Sequence, residues 1–331
     1  MKNQEMILEI NGLKTQFFTR KGVVPAVDGV DIQVPKSAVI GLVGESGCGK
    51  SMTAMSVMRL LQKPGRVVEG TIDFLGENLL EKTTAEMESI RGNQISMIFQ
   101  EPMTALNPVL TVGRQVSEAI LLHQKNVSKE EAKRQTIEIF RQVGIPEPKK
   151  RYHAYSHQLS GGLRQRVMIG MAMACDPQLL IADEPTTALD VTIEAQILHL
   201  MRGLKQEKGT SIIMITHNLG IVAELCDYVY VMYAGKIMEQ TSVYDLFEHP
   251  LHPYTFGLLN SIPKAAAKGE HLYTIRGMVP NLLKLPEGCR FCPRCDKAMK
   301  ICTICEPELR DAGDGHMVRC HLYDREVMKN G

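Results

Sequence analysis

The sequence VIGLVGESGCGKSMTAMSVMRLL (residues 39–61) passes from an apolar run to a helical apolar spacing through the glycine-rich segment GESGCGKS (44–51). That segment fits G-x-x-x-x-G-K-[ST], and a preceding strand with a following helix is the context that the pattern requires. Its glycines let the backbone curl until its N–H groups face an anion, and the helix adds its positive end. The segment therefore predicts a phosphate-binding loop; the alternative is a glycine-rich turn that binds nothing.

Two pairs of side chains suit nucleotide chemistry. One pair lies at the end of this loop, and the other lies at the end of a second strand. Lys50 would reach the β- and γ-phosphates, and the Ser51 hydroxyl would bind Mg²⁺. The strand-like run LLIADE (179–184) ends in two carboxylates. Asp183 suits a Mg²⁺ contact, and Glu184 could polarise an attacking water. Two solvated acids at a strand end are the alternative.

Strands and helices alternate along the rest of the chain. Strand-like runs occupy much of residues 7–43, and SIIMIT (211–216) is another, whereas residues 113–175 show helical patterns. Ser128 followed by Glu131 predicts a capping box at a helix start. This order predicts an α/β fold with a mostly parallel sheet and a helical subdomain.

A second candidate anion site is LSGGLRQR (159–166), in which a serine and two glycines open a helix. A chain with two such cradles is expected to close over nucleotide as a dimer, with each cradle facing the phosphate loop of the other chain. The alternative is a helix N-cap whose glycines allow tight packing.

Six motifs follow one another along the chain: GESGCGKS, IFQEP, LSGG, LLIADE, TALD and ITHN. This order resembles the ATPase subunit of an ABC transporter and is far more specific than a lone phosphate-loop motif. The resemblance implies a P-loop NTPase of the ABC ATPase type. We expect a RecA-like ATP-binding core at residues 1–100 and 176–261, a helical signature subdomain at 101–175, and a small cysteine-rich extension at 262–331.

The resemblance also implies roles for individual residues, with ATP and Mg²⁺ as the ligands. Gln100 would couple the metal site to a transmembrane partner. His217 would contact the γ-phosphate and hold Glu184 in place. Phe17 stands where the family has an aromatic that stacks on adenine, and its neighbour Phe18 is the alternative.

One position departs from the family pattern, because Leu163 stands where the signature motif usually ends in glutamine. Little loss of phosphate binding is expected, since Ser160 and the backbone of Gly161 and Gly162 would contact the phosphate.

Asp190 would lie in the loop between two ATPase chains. The implied nucleotide-binding residues are Phe17, Gly44, Glu45, Ser46, Gly47, Cys48, Gly49, Lys50, Ser51, Met52, Gln100, Ser160, Gly161, Gly162 and Asp190. The implied catalytic residues are Glu184, His217 and Lys50, and the implied Mg²⁺ ligands are Ser51, Gln100 and Asp183.

The segments FQEPMTALNPVLTVGRQ (99–115) and HPLHPYTFGLL (249–259) resemble the oligopeptide/dipeptide importer branch of this family. The resemblance implies a peripheral subunit on the cytoplasmic face of the inner membrane. Its partners would be two transmembrane permease subunits, a second ATPase chain (related or identical) and an extracytoplasmic binding protein. Dipeptides or oligopeptides are the expected cargo, with nickel chelates or glutathione as alternatives. A soluble ABC-type ATPase and an iron–sulfur electron carrier are the rival classes.

The composition agrees with a folded, peripheral protein. The chain has 331 residues, and 38 basic against 37 acidic residues leave a net charge of +1, which gives no sign of nucleic-acid binding. No run approaches about 18 apolar residues, so no segment is expected to span a bilayer. The N-terminal MKNQEMILEI lacks the apolar core of a signal peptide, and a cytosolic chain is expected.

Six of the nine cysteines lie close to the end of the chain, at positions 289, 292, 295, 302, 305 and 320. In a reducing compartment such a cluster predicts a metal site, either zinc or an iron–sulfur cluster. The importer resemblance selects Cys289, Cys295, Cys302 and Cys320 and implies a [4Fe–4S] cluster, with zinc at four of the six thiols as the alternative. We expect a structural role, in which Cys302→Ser unfolds the extension and leaves ATP binding by residues 1–260 intact.

Overall fold

The secondary structure of the chain comes from a computed structural model that describes residues 4–101, 105–186, 191–262 and 274–324. In chain order the strands are β1 (Met6–Thr19), β2 (Gly22–Pro35), β3 (Val39–Val43), β4 (Gly65–Phe74), β5 (Glu77–Asn78), β6 (Ile95–Ile98), β7 (Leu179–Asp183), β8 (Ser211–Thr216), β9 (Tyr228–Tyr233), β10 (Lys236–Ser242), β11 (Arg310–Asp311) and β12 (Met317–Val318).

The helices alternate with these strands, as the sequence predicts. They are α1 (Lys50–Val57), α2 (Thr84–Ile90), α3 (Val112–His123), α4 (Lys129–Gln142), α5 (Pro148–Arg151), α6 (Gly161–Met173), α7 (Val191–Gly203), α8 (Leu219–Leu225), α9 (Val243–Glu248), α10 (Pro253–Asn260) and α11 (Ile301–Ile304). Within the described ranges, none of these helices combines the length and apolar character needed to cross a bilayer.

The chain divides into two compact units, and the first comprises residues 1–7, 34–39 and 81–214. Here β6 and β7 run parallel, with Ile95 opposite Leu179, and β8 lies beside β7. Every residue of β7 is buried, as expected for a strand inside a parallel sheet. The helices α3, α4 and α6 pack against one another and confirm the helical pattern predicted from 113 to 175.

The predicted capping box at the start of α4 is only half formed. The Ser128 hydroxyl accepts a hydrogen bond from the Glu131 N–H at 3.1 Å, which confirms the N-cap. The Glu131 carboxylate does not return the bond and binds Arg134 and Gln135 on its own helix instead. A long cation within one turn therefore competes with the cap for the carboxylate.

The second unit comprises residues 8–33, 40–80 and 215–331 and contains two groups of strands. One is a four-stranded sheet in the order β2-β1-β4-β5. In the other, β3 runs parallel to β9, with Val43 opposite Val231, and β10 is antiparallel to β9. The chain reverses at β10 because β9 and β10 are joined by a two-residue turn that contains Gly235, with φ 89°.

The cysteine-rich extension contributes strands to this second group. β12 pairs antiparallel with β10, with Glu239 opposite Val318, and β11 pairs with β12. The sequence did not predict these two short strands, since two residues are too few for a periodic pattern. The extension is therefore hydrogen-bonded into the second unit. The two-unit division follows bounds different from the predicted three-part division, which stays a prediction.

Ion pairs also fix the extension to β2 and β10. Lys236 binds Glu306 at 2.8 Å, and Arg290 bonds Asp28 of β2. Burial by itself would raise the pKa of Asp28, but Lys236 and Arg290 together lower it, so Asp28 is ionised. These contacts make the packing of the extension depend on paired charges as well as on the backbone pairing of β10 and β12.

Candidate functional site

The segment between β3 and α1 forms a loop whose glycines hold backbone shapes that other residues avoid. Gly44, Gly47 and Gly49 have φ values of 150°, 77° and 112°. A Cβ at Gly44 would lie 2.1 Å from the Met232 carbonyl oxygen, so no side chain fits there. Gly49 is the N-cap of α1 and makes no side-chain cap bond. The predicted loop is therefore formed, and its curvature depends on these glycines.

Lys50 is held inside the curve of this loop and is 5% exposed. Its ammonium group donates to the carbonyl oxygens of Gly44 at 2.8 Å and Glu45 at 3.1 Å, and it lies 3.7 Å from the Cys48 sulfur. Burial raises the pKa of the Cys48 thiol, which keeps it neutral beside the lysine. A cation held by backbone carbonyl oxygens inside a glycine-rich loop at a helix start is suited to an anionic ligand.

The outer residues of the loop complete this arrangement. Ser46 and Gly47 are exposed at its tip, whereas Ser51 and Met52 are half-buried in the first turn of α1. The Glu45 N–H donates to the Tyr254 hydroxyl at 2.8 Å. Tyr254 belongs to the importer-like segment, but its contact with the loop, which joins α10 to it, was not predicted from the sequence.

A short chain of hydrogen bonds holds Tyr254 in place. The N–H groups of Leu251 and His252 both donate to the fully buried Glu239 at 2.8 Å. His252 then caps α10, because its Nδ1 accepts from the Tyr254 N–H at 3.0 Å. Burial lowers the pKa of His252 to about 4, so the imidazole is neutral and can accept this bond. The His-Pro-Tyr segment thus places the hydroxyl group that contacts the phosphate loop.

Phe17 and Phe18 lie on opposite faces of β1, because successive side chains of a strand alternate. Phe17 stands opposite Gly65 of β4, and a Cβ at Gly65 would lie 2.6 Å from the Phe17 ring. Phe18 is 38% exposed, and the Arg66 guanidinium lies 4.3 Å from the centre of its ring. The Phe17 ring occupies the space that a side chain at Gly65 would need, and the choice of adenine-stacking residue stays a prediction.

The first unit brings two of the predicted site residues together. Asp183 is the last residue of β7 and is 4% exposed. Glu184 follows with φ 47°, a left-handed conformation that is uncommon for residues other than glycine. Its carboxylate accepts a hydrogen bond from the Gln100 amide at 3.1 Å. The backbone turn at Glu184 therefore aims its side chain at Gln100, two residues beyond the end of the neighbouring strand β6.

The predicted second anion cradle opens helix α6. The Ser160 hydroxyl accepts from the Leu163 N–H at 3.4 Å and caps the helix. The bond uses the backbone of Leu163, so the departure from the family's glutamine leaves the cap intact. A Cβ at Gly161 would meet nothing within 4 Å, and the start of α6 is open.

Helix α6 is also tied to the loop that carries Glu184. The buried Gln165 donates from its amide to the Pro185 carbonyl oxygen at 2.7 Å. Gln165 was not among the predicted site residues. A buried glutamine that contacts a residue twenty positions further along the chain is visible only once α6 and β7 are packed together.

His217 and Asp190 are the two remaining predicted residues. His217 follows β8 directly and is exposed, and Asn218 caps α8 through the Gly220 N–H at 2.9 Å. Asp190 lies outside the described residues. The phosphate loop, Phe17 and His217 belong to the second unit, and the site residues Gln100, Ser160, Asp183 and Glu184 belong to the first.

The four cysteines selected from the sequence lie near one another. Cys289 and Cys302 are each 7% exposed, and the Cys289 N–H donates to the Cys302 carbonyl oxygen at 2.8 Å. Burial, with a smaller effect of the nearby Cys302 and Cys320 thiols, raises the pKa of Cys289 to about 12. Burial likewise raises the pKa of Cys320 to about 11, with smaller effects of Cys295 and Cys302. Cys305 is exposed.

This arrangement does not form a closed site for a single metal ion. Across the described part of the chain, no three Cys, His, Asp or Glu side chains are placed to hold a metal ion. Four thiolates around one zinc would come within roughly 4 Å of one another.

Comparison with known families agrees with this geometry. Residues 27–187 match the ABC transporter family. Residues 238–302 match the C-terminal region of oligopeptide/dipeptide transporters. The second match includes the His-Pro-Tyr segment and the first four of the C-terminal cysteines.

Individual proteins match over almost the whole chain. The oligopeptide transport ATP-binding protein AppD of Bacillus subtilis is 51% identical over 97% of this chain and 98% of its own length. OppD of Salmonella typhimurium, with the same description, is 50% identical over 98% of this chain and 96% of its own length. Among solved structures, the dimeric ATP-binding cassette MJ0796, bound to ADP and Pi, is 23% identical over 71% of this chain and 98% of its own, with a TM-score of 0.66, which shows the shared fold.

Proposed function

Because this chain belongs to the ATP-binding subunits of oligopeptide/dipeptide ABC transporters, we propose that it hydrolyses ATP to power peptide import across the cytoplasmic membrane. The observation that carries the proposal is the phosphate loop, in which Lys50 lies against the carbonyl oxygens of a glycine-built curve. Relatives described as oligopeptide transport proteins support peptides as the cargo. No observation favours nickel chelates or glutathione.

The chain's own residues would bind ATP as follows. Lys50 would exchange its backbone carbonyl partners for the β- and γ-phosphate oxygens, while the N–H groups of Ser46, Gly47 and Gly49 would face the phosphates. Phe17 stacks on the adenine. Met52, in the first turn of α1, would also contact the nucleotide.

Metal binding and hydrolysis would use side-chain oxygen atoms of the predicted site residues. Ser51, Gln100 and the buried Asp183 offer the hard oxygen ligands that Mg²⁺ prefers, and Mg²⁺ neutralises the charge that develops on the transferred phosphoryl group. Glu184 takes a proton from the attacking water, and the Gln100 amide holds its carboxylate in place. His217 contacts the γ-phosphate.

The remaining predicted residues would act between two copies of the cassette. Ser160, Gly161 and Gly162 would bind the γ-phosphate of ATP held by the partner ATPase, and Asp190 would line the contact between the chains. A dimeric cassette among the structural neighbours supports this arrangement. We also propose that the chain works with two permease subunits and an extracytoplasmic binding protein, and that it lies on the cytoplasmic face of the inner membrane. For the domains we propose a RecA-like core at 1–100 and 176–261, a helical subdomain at 101–175 and an extension at 262–331.

The proposal is tested by transport in a reconstituted system. The chain, its permease subunits, its partner ATPase and its binding protein are placed in proteoliposomes, and uptake of a labelled tripeptide is measured with ATP on the side of the ATPase chains. We expect uptake with ATP and none with ADP or a non-hydrolysable analogue. Uptake of glutathione or a nickel chelate in place of peptides would contradict the cargo. ATP hydrolysis by a chain that never binds the permeases would instead favour a soluble ATPase.

We further propose that Cys289, Cys295, Cys302 and Cys320 hold a [4Fe–4S] cluster that stabilises the extension. Two observations support it: neighbouring thiols of the set add to the effect of burial in raising the pKa of Cys289 and Cys320, and Cys289 and Cys302 are buried beside each other. The four side chains would supply thiolates, which are the ligands that hold iron–sulfur clusters. Zinc remains the alternative outcome of the test.

Metal analysis of protein purified without oxygen checks this directly. We expect about four irons per chain and broad absorption near roughly 400 nm. Cys302→Ser should lose most of the iron and make the extension sensitive to protease, because a buried ligand is removed. Cys305→Ser is the matched control and should keep the iron, since Cys305 is exposed and lies outside the selected set. One zinc without colour, or iron lost only from the Cys305 variant, would show that the proposed cluster or its ligands are wrong.

A further inference from the structure

The carboxylate of Glu45 is the acidic side chain of the phosphate loop, and an arginine of the cysteine-rich extension holds it. Arg294 donates to both oxygens of Glu45, at 2.5 Å from Nη1 and 3.0 Å from Nη2. Paired bonds between a guanidinium and a carboxylate are among the strongest and most directional in proteins. The two residues are 249 positions apart, so this contact joins the start of the ATP site to the end of the chain.

The Arg294 side chain is fixed on every side and is 4% exposed. Its Nε donates to the Arg276 carbonyl oxygen at 2.9 Å. Its guanidinium lies 5.7 Å from the centre of the Tyr233 ring and 6.0 Å from that of Phe291. Such a side chain cannot swing away from Glu45 without losing several contacts, and it therefore acts as a rigid support rather than a mobile surface charge.

The turn that carries Arg294 is part of the cysteine cluster. Arg294 ends a single helical turn that begins at Cys292, and Cys295 follows it directly. The Cys295 N–H donates to the Cys292 carbonyl oxygen at 3.2 Å. Any loosening of this turn moves the base of the Arg294 side chain.

Glu45 is held from three directions, and each contact acts on the shape of the loop. Lys50 binds its carbonyl oxygen at 3.1 Å, and Tyr254 accepts from its N–H at 2.8 Å. Arg294 fixes its carboxylate and neutralises the charge. Without the arginine, an uncompensated negative charge would stand in a loop that binds a polyanion, and the repulsion would act on the phosphates directly.

We propose that Arg294 is a positioning residue for ATP binding, through which the cysteine-rich extension sets the charge and the shape of the phosphate loop in its own chain. The inference rests on ATP being the ligand of that loop. It also revises the sequence-based expectation that Cys302→Ser would leave ATP binding by residues 1–260 intact. Because the extension contacts the loop through Arg294, damage to the cysteine turn should weaken ATP binding.

The test measures the Kd for ATP of the full-length chain by titration calorimetry. Arg294→Gln should raise the Kd about tenfold or more, because it leaves the half-buried Glu45 carboxylate without its partner. Arg294→Lys should recover part of the affinity, since it keeps the charge and loses the paired geometry. Glu45→Gln combined with Arg294→Gln should return the Kd to within about threefold of wild type, because the unpaired charge is gone.

Arg290→Gln is the matched control. Arg290 is a second buried arginine of the same extension, and it bonds Asp28 and the Ala234 carbonyl oxygen in place of Glu45. Its loss should lower the melting temperature of the chain about as much as Arg294→Gln does and change the ATP Kd by less than about twofold.

Three results would overturn the inference. They are an unchanged Kd in Arg294→Gln, an equal loss of affinity in Arg290→Gln and Arg294→Gln, and a double variant that stays as weak as Arg294→Gln. The last two would show that the extension merely keeps the chain folded. Failure of the wild-type chain to bind ATP would instead contradict the proposed function, and the two failures are therefore distinguishable.

Discussion

The Glu184→Gln variant is expected to bind ATP as tightly as the wild-type chain and to hydrolyse it roughly 10²–10⁴ times more slowly. The carboxylate is the group that would take a proton from the attacking water, and a neutral amide of the same size cannot do so. The left-handed backbone at Glu184, with φ 47°, and the 3.1 Å bond from Gln100 fix the position of the side chain. The amide oxygen of the new side chain can still accept that bond, so the site should keep its shape.

Two measurements check this variant. One is the rate of phosphate release by the assembled transporter, and the other is ATP binding by the isolated chain. Glu130→Gln is the matched control, because Glu130 is an exposed glutamate in the first turn of α4 and touches none of the proposed site residues. Its rate should equal that of the wild type. If Glu184→Gln kept more than about a tenth of the wild-type rate, Glu184 could not be the general base.

The Gly49→Ala variant should lose ATP affinity by about 100-fold or more. A Cβ at position 49 would lie 2.4 Å from the Ala26 carbonyl oxygen, and φ at this residue is 112°, which side chains rarely tolerate. Backbone clash and strain together amount to about 3 kcal/mol, which corresponds to that change in the Kd. The loop can avoid the clash only by moving Lys50 and the start of α1, and these are the groups that should contact the phosphates.

Gly29→Ala is the control that introduces backbone strain at a positive φ without a steric clash. Gly29 lies in β2 of the same unit with φ 66°, and a Cβ there would meet nothing within 4 Å. This control should lower the melting temperature modestly and leave the ATP Kd unchanged. Circular dichroism of both variants shows whether the Gly49→Ala chain is folded when its affinity is measured. A folded Gly49→Ala chain with wild-type affinity would mean that ATP does not bind to the loop in the form described.

The parts of the site that the sequence predicts well are those whose chemistry is local. Eight consecutive residues, 44–51, contain the glycines, the lysine and the serine, and the backbone shapes that they adopt are properties of glycine itself. Ser160 likewise caps the helix that its own motif opens. Such features depend on neighbours within a few positions, so their spacing is visible in the chain.

Contacts between distant residues are of intermediate predictability. Motif order indicates that Gln100 and Glu184 belong to one site, but their hydrogen bond exists because β6 and β7 are parallel neighbours and end at the same edge. The motif analysis could not derive that pairing from either strand alone, since each is a short apolar run that fits several positions in a sheet.

The amino-acid sequence by itself determined the nucleotide fold, the phosphate loop and the family, because each is encoded in short segments with fixed spacing. Only the tertiary structure shows that the cysteine-rich extension adds strands to the sheet beside β10. It also shows that the extension contacts the phosphate loop through the ion pair of Arg294 with Glu45. An ion pair between residues 249 positions apart leaves no periodic or local signal. It forms because the folded backbone carries one arginine, buried among aromatic rings, to the one carboxylate of the loop that binds phosphate.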